Sequence, residues 1–456
     1  KLAEEGMRFT NGYVNVAVSQ PSRGVMMTGL YGHQSGIEGF QHYTGDKLTL
    51  TEQLRNSGYE TAMLGKLEHS MPKYDKELKE FYIAKDLGDL GMGRDPRLYY
   101  QYSNQFFKYI KKVHKPFFFM INSRDPHRPF AGSGQEMNYK QFQQFFKSGK
   151  NYPKPSRTYT PDEITVPGFL PDIKAVRTEV AQYFSSVKRF DDMLGMVMKA
   201  LKENKMDKNT LIVFLSDNGM AFPFAKTNCY LASTKTPLIA VWPGKIKPNS
   251  VDSTHVVSEI DFYPTFLDIA QIKKPEYLDG RSLISLFEGK SQNGWDEVYT
   301  QFYETSRKTR YPMRAVEDKQ YGYIFSPWAD GDIPFQNESM AGLTFKAMQK
   351  EAQKSPYIAH RVDLFLNREI EEFYDLRKDP NALNNLINDP KYQGIIEEYR
   401  QKLRDQMEKT QDPALEAFDN RYDKDKVREW LKEDAQKVAL AEKNISVNNN
   451  WKKNTK

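Results

Sequence analysis

A hydroxyl, a proline and a guanidinium lie within five residues at Ser19-Gln20-Pro21-Ser22-Arg23, ahead of the run Gly24-Val25-Met26-Met27-Thr28. Pro21 sets φ for a first helical turn, and Gly29 and Gly32 supply stops. A helix N-terminus presents unpaired N–H groups and partial positive charge, which suits an oxyanion. Arg23, one turn in, adds a planar fork of donors for the same anion. Ser19 then stands at the lip of an anion site. An N-capped helix with a surface arginine accounts for the same residues by local physics alone, so the reading depends on what else converges there.

Three further polar clusters each follow an apolar stretch. Lys66 and His69 follow residues 59–64, and Arg124-Asp125-Pro126-His127-Arg128 follows Phe117-Phe118-Phe119-Met120-Ile121. Ser216-Asp217-Asn218-Gly219 follows Leu211-Ile212-Val213-Phe214-Leu215. Each alone is ordinary: single histidines are more often structural, and Ser-Asp-Asn-Gly after a strand is a common turn. In open α/β sheets, however, ligands bind outside the carboxyl ends of the strands, which places these clusters in one crevice.

The elements that must position them read as α/β. A helix from Leu50 to Asn56, capped by Thr49 or Thr51, stops at Gly58 and gives way to a strand over 59–64. Residues 104–113 are amphipathic, and Phe117–Ile121 is apolar throughout, as in a central strand covered on both faces. Residues 131–175 read as a long surface excursion walling the site. Apolar residues at three- and four-residue spacing predict a helix over about 178–204, its Met and aromatic stripe serving as core. The alternating rhythm stops near residue 295. We therefore expect a catalytic domain over 1–295 and a smaller α+β domain over 296–456, with antiparallel strands and a helix over 390–409. Its basic tail, 421–456, is expected to fray.

Composition excludes several classes. The net charge is +6, and residues 421–456 hold ten Lys/Arg against six Asp/Glu, so the body is nearly neutral. No broad basic field exists for nucleic acid. No run of 18 apolar residues provides a membrane span. Cys229 is the single cysteine, which rules out an intramolecular disulfide and a Cys-based metal site, and it reads as a small buried residue.

Ser19-x-Pro-Ser-Arg23 followed by Met27-Thr28-Gly29-Leu30-Tyr31-x-His33 resembles the motif of the type I sulfatases. Gly65-Lys66-Leu67-Glu68-His69, with one extra residue, resembles the family's Gly-Lys-x-His motif. His69 takes the histidine place because a carboxylate beside a sulfate would be repelled. Asp125-Pro126-His127 resembles its second histidine motif, Asp217-Asn218 its C-terminal metal pair, and Lys226 its last sulfate-binding lysine. Within the family, Val166-Pro167-Gly168-Phe169-Leu170-Pro171-Asp172, Phe222-Pro223 through Asn228, and Tyr311-Pro312-Met313-Arg314 look nearest to the heparan N-sulfatases.

The resemblance implies an alkaline-phosphatase-like fold, a large central mixed sheet flanked by helices with a smaller C-terminal antiparallel sheet. It also implies oxidation of Ser19 to formylglycine by a maturase. The hydrated aldehyde would attack sulfur with one hydroxyl and expel sulfate with the other. Ca²⁺ would be held by Asp217, Asn218 and the modified Ser19. Arg23, Lys66 and Lys226 would hold charge on the sulfuryl oxygens. His127 or Lys226 would protonate the leaving atom and the remaining histidine would deprotonate the diol. His33, Asp125 and Arg314 are expected to contact substrate. The family has an earlier strand carrying Asp-Asp, which is expected to precede Lys1. The implied function is removal of sulfate from a glycosaminoglycan-type sugar, the N-sulfate of glucosamine first, in a periplasmic or secreted setting. Rival readings are a carbohydrate O-sulfatase, a phosphatase or phosphodiesterase of the wider superfamily, and an inactive glycan-binding relative.

Overall fold

The computed structural model describes the backbone of residues 1–454 and the side chains of residues 1–440. Its strands, in chain order, are β1 (Met7–Phe9), β2 (Gly12–Tyr13), β3 (Glu60–Leu64), β4 (Ile83–Lys85), β5 (Phe117–Ile121), β6 (Ile212–Leu215), β7 (Leu238–Val241), β8 (Ser250–Asp252), β9 (Val257–Ser258), β10 (Glu297–Glu304), β11 (Arg310–Asp318), β12 (Tyr321–Phe325) and β13 (Glu371–Asp375). β4, β3 and β5 form a parallel sheet, with Glu60–Leu64 in register against Phe117–Ile121. A second sheet runs β6-β7-β1-β8 and is mixed, since β8 alone joins β1 in parallel. β10 to β13 make an antiparallel meander, and β2 pairs with β9.

The helices that matter to the site are α1 (Ser19–Thr28), α2 (Leu50–Asn56), α3 (Pro96–Val113), α4 (Lys174–Glu203), α5 (Phe262–Ile269) and α6 (Lys424–Asn454). α2 is closed by a capping box, Thr49 accepting from Glu52 N while Glu52 accepts from Thr49 N at 2.9 Å. α3 starts earlier than the amphipathic stretch suggested, because Asp95 caps it and Pro96 sits in its first turn. Its buried Tyr99, Phe106, Phe107 and Ile110 each contribute roughly 1.5–3 kcal/mol of apolar burial.

β5 is covered on both faces as its composition suggested, but it is not central. Phe117, Phe119 and Ile121 turn to the α3–α4 core, while Phe118 and Met120 turn to the core of α1, α2 and α5. Yet among the described residues β5 pairs only with β3, and β6 only with β7. Their free edges line one cavity of about 1240 Å³, roofed by Val187, Phe190 and Val197 of α4 and floored by Met26, Leu54 and Phe266. Both strands are consequently only half-buried despite their apolar sequences.

Two other expectations are corrected. Residues 131–175 are more than a surface excursion: they hold the helices Gly134–Asn138 and Lys140–Lys147 and bury Phe142, Tyr152, Ile164, Phe169 and Leu170. The C-terminal segment, read from sequence as a polar tail, is helical in its described backbone. α6 runs from Lys424 to Asn454, anchored by the buried Val427 and Trp430 and by Asp434, which accepts from Arg310 at 2.7 Å. The last two residues of the expected tail lie outside the described residues.

Candidate active site

The carboxyl ends of β3, β5 and β6 converge on the start of α1. Val18, an apolar residue, precedes α1 and no side chain caps it, so Ser19 opens the helix itself rather than standing before it. The left-handed Gly29 (φ 68°) ends it, where a Cβ would meet Leu278 and Tyr263. Ser19 and Arg23 are one turn apart and both buried.

Asp217, two residues beyond β6, ties the cluster together. It accepts from Ser19 Oγ at 3.0 Å and from Arg23 Nη1 at 2.5 Å, and Lys66 Nζ lies 3.9 Å from it. Lys66 Nζ also donates to Ser19 Oγ at 3.4 Å. Burial by itself would raise the Asp217 pKa, but Arg23, Lys66 and Lys226 hold it far below the usual carboxylate range. Burial, with Arg23 alongside, brings the Lys66 ammonium down to about 7. Lys66 sits in the left-handed region (φ 49°) after Gly65, whose absent Cβ makes room for the carbonyl of Asn122.

His127 follows β5. Its Nδ1 donates to the Arg128 carbonyl at 2.8 Å, which leaves Nε2 as the working nitrogen, 3.4 Å from Glu338. Burial and the cations Lys226 and Lys66 lower its pKa, while Glu338 pulls the other way. Lys226 pairs with Glu338. His69 packs edge-on against Phe40 at 5.3 Å, and burial together with Lys66 brings it down to about 3. Its neighbour Glu68 turns outward toward His42, 3.6 Å away. His69, and not Glu68, therefore faces the cationic cluster.

His33, Asp125 and Arg314, expected at the substrate, are engaged elsewhere. Asp125 is buried and accepts from Arg189 at 2.6 and 3.1 Å, with Arg94 Nε at 3.3 Å. Arg314 pairs with buried Asp412 through both of its carboxylate oxygens, and His33 Nδ1 lies 3.6 Å from the same group. His33 and Arg314 thus share Asp412 of the second half of the chain, whereas Asp125, which borders the same cavity as Ser19, has its carboxylate taken up by Arg94 and Arg189 of the first half.

Two residues escaped the sequence reading. Asn122, directly after β5, accepts from Arg23 Nε at 3.0 Å and donates to the Gly65 carbonyl at 3.1 Å, fixing Arg23 relative to Lys66. The strand-end rule that found His127 also covers it. Glu338 comes from a short helical turn in the second half of the chain, where no local pattern marks it.

As a cation site the cluster is partial. Among the described residues no group of three or more His, Cys, Asp or Glu could hold a metal. Asn218 Oδ1 is nevertheless buried without a hydrogen-bond partner among the described residues, beside the anionic Asp217. An orphaned amide oxygen next to a carboxylate is the donor set of a hard cation. Cys229 is buried, and burial pushes its thiol up to about 12, so it is inert. No described helix is long and apolar enough to cross a membrane.

Comparison with known proteins agrees with this geometry. A family model described as sulfatase matches residues 1–272, and one described as N-sulphoglucosamine sulphohydrolase, C-terminal, matches residues 221–330. The human N-sulphoglucosamine sulphohydrolase is 28% identical over 440 residues, covering 92% of this chain and 86% of that protein. An ulvan-active sulfatase of Formosa agariphila is 27% identical over 411 residues, covering 87% and 72%. Among solved structures, a protein in complex with its substrate D-glucosamine-2-N,6-O-disulfate superposes with a TM-score of 0.65 at 20% identity, covering 90% and 92%. The phosphonate monoester hydrolase of Agrobacterium radiobacter shares the alkaline-phosphatase-like fold at a TM-score of 0.60 and 17% identity, covering 90% of each chain. With a serine, an arginine, two lysines and a carboxylate assembled where that family's motifs lie, and with its model matching more than half of the sequence, this chain belongs to the sulfatase family and is a sulfuric ester or sulfamate hydrolase.

Proposed function

We propose that this protein removes sulfate from a glycosaminoglycan-type sugar, with the N-sulfate of glucosamine as its preferred target, using a formylglycine made from Ser19. The observation that carries this reading is the convergence of Ser19, Arg23, Lys66, Asp217 and Lys226 on one opening. A buried hydroxyl position flanked by three cations suits an anionic sulfuryl group. The sugar and its N-sulfate come from the human relative and from the substrate of the structural neighbour. Phosphatase chemistry has no comparable support: dinuclear zinc sites prefer further His and Asp ligands, and Asn218 stands beside Asp217 instead.

The chain's own groups divide the work. Arg23, held by Asn122 and by the Ser19 carbonyl at 3.0 Å, and Lys66 orient the sulfuryl oxygens and take up charge as it develops. Lys226 holds the proton for the departing atom, the neutral His127 places its Nε2 beside it, and His69, likewise uncharged at neutral pH, accepts one from the nucleophile's side. The aldehyde, once formed, supplies a nucleophile with a built-in exit. Asp217, the orphaned Asn218 Oδ1 and the modified Ser19 would hold Ca²⁺, which supplies charge withdrawal from the sulfate. The slot between β5 and β6 is lined by Asp217 and Asn218 as well. Such maturation and substrate fit a periplasmic or secreted enzyme that meets its maturase on the way.

The test is the mass of the tryptic peptide ending at Arg23, from protein made beside a maturase, followed by assay on N- and O-sulfated glucosamines. A loss of two hydrogens at Ser19 together with N-desulfation is expected. An intact serine with no turnover would leave a glycan-binding relative. Turnover confined to O-sulfates would move the assignment to an O-sulfatase.

A further inference from the structure

The cations of the site are shared between two carboxylates. Asp217 engages Ser19, Arg23 and Lys66, whereas Glu338 engages Lys226 and His127. The first group contains the nucleophile. The second contains Lys226, the side chain placed to protonate the departing atom, with His127 Nε2 beside it. In a displacement at sulfur the entering and leaving atoms lie in line on opposite sides, as in phosphoryl transfer, so Glu338 falls on the leaving-atom side.

Its position is built rather than incidental. Asn337 Nδ2 donates to Thr227 Oγ1 at 2.8 Å, fastening the preceding residue to the neighbour of Lys226. On the other side, the backbone N–H groups of Leu343 and Thr344 donate to Glu179 at 2.9 and 2.8 Å. Glu179 in turn pairs at 2.6 Å with Arg128, the neighbour of His127. The turn bearing Glu338 is thus clamped to both residues it faces. A fixed carboxylate here weakens attraction for a sulfate through like charge, and that cost needs a gain elsewhere in the reaction.

We infer that Glu338 is a specificity-determining residue that recognises the amino group released when a sulfur–nitrogen bond is cleaved. The inference rests on the sulfamate reading above. In the balanced reaction, water contributes its oxygen to sulfur, the S–N pair of electrons stays on nitrogen, and nitrogen takes one proton to become the amine. A second proton, released as bisulfate ionises to sulfate, makes it an ammonium. That cation forms only from an N-sulfate, because an O-sulfate leaves a neutral hydroxyl. Glu338 receives it, and Lys226 is freed to stay with the sulfate.

The experiment is titration calorimetry of the full chain, with inorganic sulfate present, using glucosamine and N-acetylglucosamine as probes. Wild type is expected to bind glucosamine roughly 10-fold more tightly, the margin of one charge-assisted contact. Glu338→Gln is expected to erase that preference while leaving the Kd for N-acetylglucosamine within about 2-fold, and Glu338→Asp to retain part of it. Circular dichroism confirms that both variants fold. Equal binding of the two sugars by wild type, no binding of either, or a preference that survives in Glu338→Gln overturns the inference. Its failure is separable from that of the functional reading: absence of N-desulfation by matured wild type defeats the latter, whatever the calorimetry gives.

Discussion

At the scale of single residues, the Asp217 carboxylate balances Arg23 and Lys66 while it accepts from Ser19. Asp217→Ala would leave two buried cations without a counter-charge, which costs on the order of 3–5 kcal/mol. It would also lower kcat/KM of the matured enzyme by roughly 100-fold or more. Urea denaturation and steady-state kinetics read the two effects separately. Asp125 gives the contrasting pattern. Its carboxylate is committed to Arg189 and Arg94, so Asp125→Ala should lose about 3–5 kcal/mol in denaturation while turnover per folded molecule stays within a few-fold. A large loss of turnover at unchanged stability would return Asp125 to the substrate. The sequence order Asp125-Pro126-His127 could not separate these roles, because adjacent residues on a turn point to different partners. His33 and Arg314 share a partner, Asp412, so far along the chain that no local pattern marks the pairing.

At the scale of elements, β11 carries a buried acid outside the site. Burial raises the Glu317 carboxyl from its usual value to about 8, and its contact with Thr234 only partly offsets this. The folded state therefore holds this proton more tightly than the unfolded chain. The associated stability is full below the unfolded pKa and is lost as pH rises through about 8. Glu317→Gln should accordingly raise Tm relative to wild type at pH values above 8 and change it little at about pH 5, as scanning calorimetry at the two conditions would show. An equal shift at both would tie the effect to packing. Elements with strong periodicity were legible: the helix expected over 178–204 spans Lys174–Glu203, and the strand expected over 59–64 spans Glu60–Leu64. The pairing of β5 was not, since an apolar run specifies cover on its faces and says nothing of how many neighbours its edges have. α6 was missed because its mean composition is polar, and it is held by a few spaced contacts, Val427, Trp430 and Leu431 packing while Arg428 and Asp434 pair with Asp330 and Arg310.

At the scale of the whole molecule, one core joins both halves. Val16, Val25 and Phe222 from the first part pack in the same cluster as Phe302, Tyr311, Phe365 and Tyr374 from the meander side. Glu338 reaches Lys226 across that junction. Heat or urea should therefore unfold the two halves in one transition, with circular dichroism and tryptophan fluorescence coinciding; two resolved steps would show independent units. The slot between β5 and β6 bears on how the molecule behaves in a crowd. Two strand edges without a strand partner among the described residues, set in apolar walls, are a template for any extended chain. Molecules whose slot stays open should cluster as concentration rises, and light scattering should detect it. A short apolar peptide of alternating Val and Thr, added in excess, should compete for the edges and keep the protein dispersed. Colloidal behaviour would then report on the same backbone groups that frame the catalytic opening.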